Sequence, residues 1–276
     1  MKFILFLFLM PVLLLAQDHL LISEILIPPD TESRTAFIEI YNPTDQSVDM
    51  SQYFLANYNT YYNMVNGQYS TNTIHFLCDF SSAGVSLSPG KNLVVALDGS
   101  AFREKFGKAA DFEIAGTDPD TPDLNARYVG SNPTLEFTRG MVVLFTWDGN
   151  SDLVQDVDYI PWGLLPFSSY WMDKSGVSVD GPDADATPST YKDDLAVSQQ
   201  KAPIAPTGGL SLQRLGITEI NETATDGNGL TGHNEATEDW QQSFVATTPS
   251  PGSFSEVPGD GTGTAWLAPD TVDVEA

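Results

Sequence analysis

The sequence is poor in cysteine and in basic residues, and each shortage excludes a class of protein. It contains one cysteine, Cys78, so no disulfide bond can form within the chain. The flanking segment "IHFLCDF" is apolar and predicts a buried, unreactive thiol. Lys and Arg total 12 against 37 Asp and Glu, which gives a formal charge of −25. This acidity argues against a nucleic-acid partner and against docking on anionic lipid.

Recognisable catalytic motifs are also missing. The three histidines, His19, His75 and His233, form no H-E-x-x-H pattern. The sequence has no G-x-S-x-G, no P-loop and no G-x-G-x-x-G after a predicted strand. We therefore expect a chain that is not an enzyme and that carries no organic cofactor.

Long apolar runs are absent apart from one at the N-terminus. Lys2 precedes an uncharged run of 14 residues, Phe3 to Ala16, which is short for a bilayer span but typical of a signal peptide. We predict that residues 1–17 are a signal peptide and that the mature protein is secreted or on the cell surface. No transmembrane segment is expected after cleavage.

Short segments with strand character make up most of the remaining chain, separated by Gly, Pro, Asn and Asp. They include "HLLISEILI", "AFIEIYNP", "VDMSQYFLAN", "NLVVAL", "MVVLFTW", "LVQDVDYI", "LSLQRLG" and "WQQSFVA". In "AFIEIYNP", Phe37, Glu39 and Tyr41 alternate with Ile38 and Ile40, which predicts a strand with two distinct faces. The pattern predicts an all-β sandwich.

One short helix and three long loops complete the predicted architecture. In "GSAFREKFGKAADF", Ser100 is a candidate N-cap, Phe102 and Phe106 share a face, and Gly107 can end the helix. Residues 57–73, 116–134 and 161–209 lack strand patterns and predict loop insertions. We expect the sandwich domain to cover residues 18–256, with a Gly/Pro linker at 257–264 and the start of a further, truncated domain at 265–276.

Several motifs resemble, in order, those of the lamin tail domain family. "LLISEILIPP" and "AFIEIYNPTDQSVDMSQYFL" resemble its opening strands, with Met50 where leucine is usual. "GVSLSPGKNLVVAL" and "MVVLFTWDGNSDLVQDVDYIPWG" resemble later segments, and "SLQRLG" and "DWQQSFVATTPSPGSF" resemble its ending. The resemblance extends from Leu20 to about Phe254.

The resemblance implies an immunoglobulin-like β-sandwich with long loop insertions and no catalytic residue set. Family members serve as interaction platforms in nuclear lamins and occur in secreted multidomain proteins of bacteria. We therefore expect a non-catalytic binding, adhesion or scaffolding module with a protein or polysaccharide partner. One alternative is an accessory domain of a larger secreted hydrolase or nuclease whose catalytic domain lies outside this chain. Another is a calcium-dependent carbohydrate-binding module.

Calcium is the one metal ion that the sequence suggests. In "TWDGNSDLVQDVDY", Asp148, Asn150 and Asp152 occupy the first three ligand positions of an EF-hand loop, but Leu153 stands where glycine is needed and Tyr159 where glutamate is needed. Strand-like flanks favour a hairpin turn, with a calcium site of another kind as the alternative. The same pattern leaves Asp156 and Asp158 on a strand face that is expected to be solvated.

Two further acidic loops and one aromatic segment are candidate binding sites. "DGPDADAT" offers Asp180, Asp183 and Asp185, and "DGNGLTGHNEATEDW" offers Asp226, Asn228, Asn234 and Glu235. "YIPWGLLPFSSYW" brings Trp162, Tyr170 and Trp171 close together, where they can contact a glycan or protein partner. The competing interpretation is that these rings pack the inserted loop onto the sandwich.

Overall fold

The computed structural model describes residues 17–81, 84–164 and 170–254. The predicted signal peptide, apart from Gln17, and the predicted linker and truncated domain lie outside the described residues. Within those residues the strands follow one another from Leu21 to Thr247. They are β1 (Leu21–Leu26), β2 (Phe37–Tyr41), β3 (Val48–Asp49), β4 (Tyr53–Ala56), β5 (Phe76–Asp79), β6 (Ser86–Leu87), β7 (Asn92–Ala96), β8 (Phe112–Glu113), β9 (Asn125–Val129), β10 (Arg139–Thr146), β11 (Gln155–Gly163), β12 (Ser178–Val179), β13 (Ser189–Thr190), β14 (Ser211–Arg214) and β15 (Phe244–Thr247).

Two larger sheets form the sandwich that the sequence predicts. One has the strand order β15-β14-β1-β2-β7-β8, antiparallel except for the parallel pair β7–β8. The other has the order β11-β10-β4-β5-β9 and is antiparallel throughout. The main core contains apolar side chains from both sheets, among them Ile22, Ile38, Leu55, Phe76 and Val143. Burial of this apolar surface is the main force that holds the sheets together.

The alternation predicted in β2 places its two faces in different environments. Ile38 and Ile40 lie in the core between the sheets, whereas Phe37 belongs to a smaller cluster on the outer face. Helix α1 (Gly99–Phe106) covers that outer cluster, with Phe102 and Phe106 in contact with Phe37. Both faces of this strand are therefore covered.

The predicted helix is present, but its N-cap differs. The side chain of Asp98 accepts a hydrogen bond from the amide of Ala101, and Gly107 ends the helix in the left-handed conformation. Ser100, the predicted cap, instead donates its hydroxyl to the carbonyl of Thr117. Asp98 comes one residue before the helix, where a carboxylate can reach the free amides of the first turn.

Several predicted elements need correction. "VDMSQYFLAN" is not one strand, because a 3₁₀ turn at Met50–Gln52 separates β3 from β4. "WQQSFVA" begins as a short helix, α2 (Trp240–Ser243), before β15. The predicted loop at 116–134 contains β9, and the one at 161–209 contains the end of β11 and the hairpin β12–β13.

The remaining helical segments of the described residues are short. They are 3₁₀ turns at Asp30–Thr35, Tyr61–Asn66, Leu230–Gly232 and Glu235–Thr237. In the part of the chain that the structure describes, no helix has the length and apolar character needed to cross a bilayer.

Candidate functional site

The stretch from Asp148 to Ser151 forms the turn of the hairpin between β10 and β11. One carboxylate oxygen of Asp148 accepts the amides of Asn150 at 2.9 Å and Ser151 at 2.7 Å, and the other accepts the Ser151 hydroxyl at 2.7 Å. These bonds, with that of the Ser151 amide the largest contributor, lower the pKa of Asp148. The turn that the sequence favours is thus built by Asp148 itself.

Asp152 contacts a different part of the chain from Asp148. Its buried carboxylate accepts the backbone amides of Gly181 at 2.7 Å and Ser189 at 3.1 Å, and so holds the β12–β13 hairpin against the β10–β11 turn. Carboxylate oxygens of Asp152, Asp180 and Asp183 lie within 4.8 Å of one another. Asp152, a predicted calcium ligand, therefore lies close to Asp180 and Asp183 of the predicted acidic loop "DGPDADAT". Calcium binding at this place stays a prediction.

Asn228 and Asp226, the other predicted ligands, contact the segment at residues 192–194. The side-chain oxygen of Asn228 accepts the Lys192 amide at 2.8 Å, and its nitrogen donates to the Lys192 carbonyl and to Asp194, both at 2.8 Å. Asp226 is exposed and lies 3.0 Å from the Lys192 ammonium group. The amide of Asn228 is thus used to join two loops.

A polar groove of about 650 Å³ lies between the β10–β11 turn and the loop at 227–232. It brings together three of the predicted ligands, Asp148, Asp152 and Asn228. The other side chains that line it are mostly polar and come from four segments. They include Gln52, Trp147, Ser151, Gln155, Ser189, Thr190, Lys192 and Thr231.

The predicted aromatic contact surface is mostly internal. Trp162 is 1% exposed and Trp171 is 3% exposed, and the Trp171 indole donates to the Trp162 carbonyl at 3.1 Å. Tyr170 is half-buried, with the guanidinium of Arg139 4.2 Å from its ring centre. The cavity that Trp162 and Tyr170 help to line holds about 30 Å³, which is the space of about one water molecule. The two tryptophans therefore pack the inserted loop onto the sandwich, as the competing interpretation supposes.

The only cysteine of the sequence, Cys78, is buried as predicted. Burial, reinforced by the nearby charge of Asp79, raises the pKa of its thiol to about 12. A thiol with so high a pKa is not a nucleophile at neutral pH.

The prediction that Asp156 and Asp158 face solvent is wrong. Asp156 is 1% exposed and pairs with the ammonium group of Lys174, which is itself buried. Asp158 is fully buried and lies 3.0 Å from the guanidinium of Arg214. A register shift between Leu144 and Phe145 interrupts the β10–β11 pairing at this point. Each buried carboxylate is thus matched by a cation from a distant part of the chain.

Arg214 belongs to a buried cluster of acidic residues. The cluster lies behind the loop at 227–232, which lines the groove. The Arg214 guanidinium also contacts Glu238, with a shortest distance of 2.7 Å, and lies 3.8 Å from Glu219. The other cluster members approach from the N-terminus and from the loop after β14. We define the buried acidic cluster as His19, Asp158, Arg214, Glu219, Glu222, His233, Glu235 and Glu238.

The two histidines of this cluster contact each other and separate carboxylates. Their rings meet edge to face with centroids 4.8 Å apart. His19 lies 3.1 Å from Glu219 through Nε2, whereas His233 lies 2.9 Å from Glu222 through Nδ1. The position of His19 next to the predicted mature N-terminus had given no indication of this role.

Comparison with the sequence models of protein families identifies the family of this sandwich. The sequence model of the lamin tail domain matches residues 15–161. The chain belongs to the lamin tail domain family. The matched range contains the groove turn and Asp158, while Arg214 and the acidic residues after it follow the range.

Comparisons with individual proteins give less. Among solved structures, this lamin tail domain is similar to a DUF4876 family protein from Bacteroides thetaiotaomicron VPI-5482. The two share 14% sequence identity with a TM-score of 0.47, and the match covers 85% of this chain and 72% of the other. Comparison with curated proteins gives no match.

Burial changes the ionisation of the acidic cluster in this lamin tail domain. It raises the pKa of Asp158 to about 6, of Glu238 to about 8 and of Glu222 to about 10. Arg214 opposes the rise for Asp158 and Glu238, whereas the charge of Glu219 adds to the rise for all three. The pKa of Glu235 is raised well above its ordinary value by burial and by the charges of Glu219 and Glu222.

Sequence reasoning missed most of this cluster. Of its members, the sequence suggests only Glu235 as a calcium ligand, and it predicts a solvated position for Asp158. The one available signal was the density of Glu and His in residues 219–238. That signal alone does not distinguish a buried cluster from a solvated acidic loop, because the burial depends on β1 and β11.

Proposed function

We propose that this lamin tail domain is a non-catalytic binding module of an exported protein, with its ligand in the groove beside the β10–β11 turn. The observation that carries the proposal is the groove itself. Its volume of about 650 Å³ is in the range typical of ligand sites. It lies at one end of the sandwich, where loops held by a rigid scaffold commonly carry binding functions.

The lining of the groove supports a polysaccharide as the ligand. Exposed hydroxyl and amide side chains such as Gln52, Gln155 and Thr190 can exchange hydrogen bonds with sugar hydroxyls. Trp147 adds a half-buried indole ring. The formal charge of −25 repels polyanions, so the proposal is for a neutral polysaccharide.

Export is part of the same proposal and rests on the sequence. Lys2 followed by the apolar run from Phe3 to Ala16 has the form of a signal peptide. Neutral polysaccharides are abundant outside cells, so an exported module meets this class of ligand.

Affinity electrophoresis tests the proposal. The protein is run through gels containing mixed-linkage β-glucan, xylan, galactomannan or dextran, in EDTA and again with added Ca²⁺. We expect one of these polysaccharides to retard the protein and to be recovered at its original chain length. The proposal fails if none retards the protein, or if the retarding polysaccharide is shortened, because the second result would show catalysis. Retardation only with Ca²⁺ would support the proposal and would assign a calcium-dependent site.

A further inference from the structure

Three buried side chains of the acidic cluster converge behind the loop that walls the groove. A ligand atom of His19, of Glu219 and of Glu235 all lie within 4.8 Å of one another. His19 is 2% exposed, Glu219 is 8% exposed and Glu235 is 3% exposed. Ligand atoms about 2.0–2.2 Å from a zinc ion lie about 3.3–3.6 Å apart in a tetrahedral site, so side-chain shifts of about 1 Å bring these three atoms to one ion.

Two oxygen atoms in this group are buried without a hydrogen bond. They are Oε1 of Glu235 and Oε1 of Glu219. Around Glu235 the backbone closes tightly, since a Cβ atom added at Gly229 would lie 2.7 Å from Oε1. Oε1 of Glu219 still has the Arg214 guanidinium 3.8 Å away, so Oε1 of Glu235 is the oxygen that indicates a missing ligand, because buried carboxylate oxygens normally have partners.

The side chain of His19 is oriented as in a metal ligand. Its Nδ1 lies 3.1 Å from a carboxylate oxygen of Asp18, and its Nε2 lies 3.1 Å from Glu219. The side-chain nitrogen of Gln17 lies 2.9 Å from the same Nε2 and also donates to Glu219, so a bound ion takes the place of the Gln17 amide. A carboxylate that accepts a proton from Nδ1 fixes the tautomer whose Nε2 lone pair is free to coordinate. Histidine ligands in zinc sites commonly have such a partner.

The charges of the whole cluster leave room for a cation. Five carboxyl groups, those of Asp158, Glu219, Glu222, Glu235 and Glu238, face one guanidinium, that of Arg214. Burial raises the pKa values of Glu222, Glu235 and Glu238, so protons on these carboxyls balance part of the charge when no ion is bound. A buried charge excess of this kind is costly unless protons or a metal ion balance it.

We propose that His19, Glu219 and Glu235 bind a divalent transition-metal ion, with zinc as the ion to test first. One imidazole and two carboxylates are ligands that zinc accepts. Calcium prefers oxygen ligands alone, which makes it a poor match for His19. The neighbouring pair Glu222 and His233 is already joined by its own hydrogen bond and lies outside the proposed coordination sphere. This site is separate from the groove, so its test is independent of the proposed polysaccharide.

Zinc titration of the full chain, without an affinity tag and after EDTA treatment, tests the inference. We expect calorimetry to show saturation near one zinc ion per chain, and the melting temperature to rise with zinc. Glu235→Gln keeps the shape of the side chain but removes its charge, and His19→Gln removes the imidazole. Each should weaken zinc binding by about tenfold or more. The matched control is Asp183→Asn, in a close acidic group outside the cluster, and should bind zinc like the wild type.

Several outcomes would overturn the inference. They are the absence of saturable zinc binding, equal binding by wild type, Glu235→Gln and His19→Gln, or loss of binding only in Asp183→Asn. Should either variant fail to fold, zinc-edge X-ray absorption of the wild-type protein decides the matter. Scattering from one imidazole supports the proposed site, and a shell of oxygen atoms alone contradicts it.

Discussion

Two acidic residues on neighbouring strands hold the end of the domain against the six-stranded sheet. Glu24 on β1 pairs in register with Glu39 on β2, and both are fully buried. Glu39 accepts the Ser23 hydroxyl at 2.6 Å and the amide of Gly252, while Glu24 accepts the amide of Ser250 at 3.0 Å. Burial, with the charge of Glu24 adding to it, raises the pKa of Glu39 to about 7. Glu39 is therefore a source of pH-dependent stability.

Replacing Glu39 by Gln should stabilise the protein at pH 8 and have little effect at pH 4. A folded-state pKa raised above 4.5 means that the folded protein binds this proton more tightly than the unfolded chain. The stabilisation that this bound proton contributes is fully present below about pH 4.5 and is lost as the pH rises through about 7. The gain at pH 8 is at most about 3 kcal/mol. The glutamine carbonyl oxygen can accept the Gly252 amide as the carboxylate does, and its NH₂ group can donate to the Ser23 hydroxyl oxygen, which then turns its own proton to the Glu39 backbone carbonyl.

Thermal unfolding at both pH values checks this prediction. Glu104→Gln, at an exposed position on α1, serves as the control for loss of a surface charge. An equal change in melting temperature at pH 4 and pH 8 for Glu39→Gln would show that the ionisation of Glu39 is not linked to folding.

At the scale of elements, local chemistry determines the turns and distant partners determine the loops. The β10–β11 turn could be predicted because Asp148 bonds only to residues two and three positions ahead of it. The role of Asp152 could not, because its partners Gly181 and Ser189 lie 29 and 37 residues further along the chain. A sequence pattern of short period carries no information about such contacts.

Loss of the Asp152 carboxylate should loosen the β12–β13 hairpin. In Asp152→Ala the amides of Gly181 and Ser189 lose their acceptor, and backbone amides in residues 178–190 should exchange about tenfold faster. Hydrogen exchange followed by mass spectrometry measures this directly. Asp148→Ala is the matched control, because Asp148 caps the adjacent turn and makes no contact of this kind with the hairpin. Unchanged exchange at 178–190 in Asp152→Ala would show that the hairpin is held by other contacts.

At the scale of the whole molecule, the sequence was sufficient for the fold class and insufficient for the buried charges. Alternating strands, turn residues and family motifs predicted the sandwich, because each depends on neighbouring residues. The acidic cluster combines His19, Asp158 and Arg214 with residues from 219 to 238, which only the folded sheets bring together. The same reason explains why Trp162 and Trp171 looked available for binding but are buried in the folded protein.

The central claim is that the groove beside the β10–β11 turn binds the ligand, and a matched pair of variants tests it. Thr190 lines the groove, and Ser178 is its exposed partner across the β12–β13 hairpin, with the two hydroxyls 2.7 Å apart. Thr190→Arg fills the groove, whereas Ser178→Arg breaks the same hydrogen bond and adds the same charge outside it. The measurement is retardation of both variants in the polysaccharide gel that retards the wild type. The account predicts that Thr190→Arg loses retardation and Ser178→Arg keeps it, and equal retardation of the two variants would contradict it.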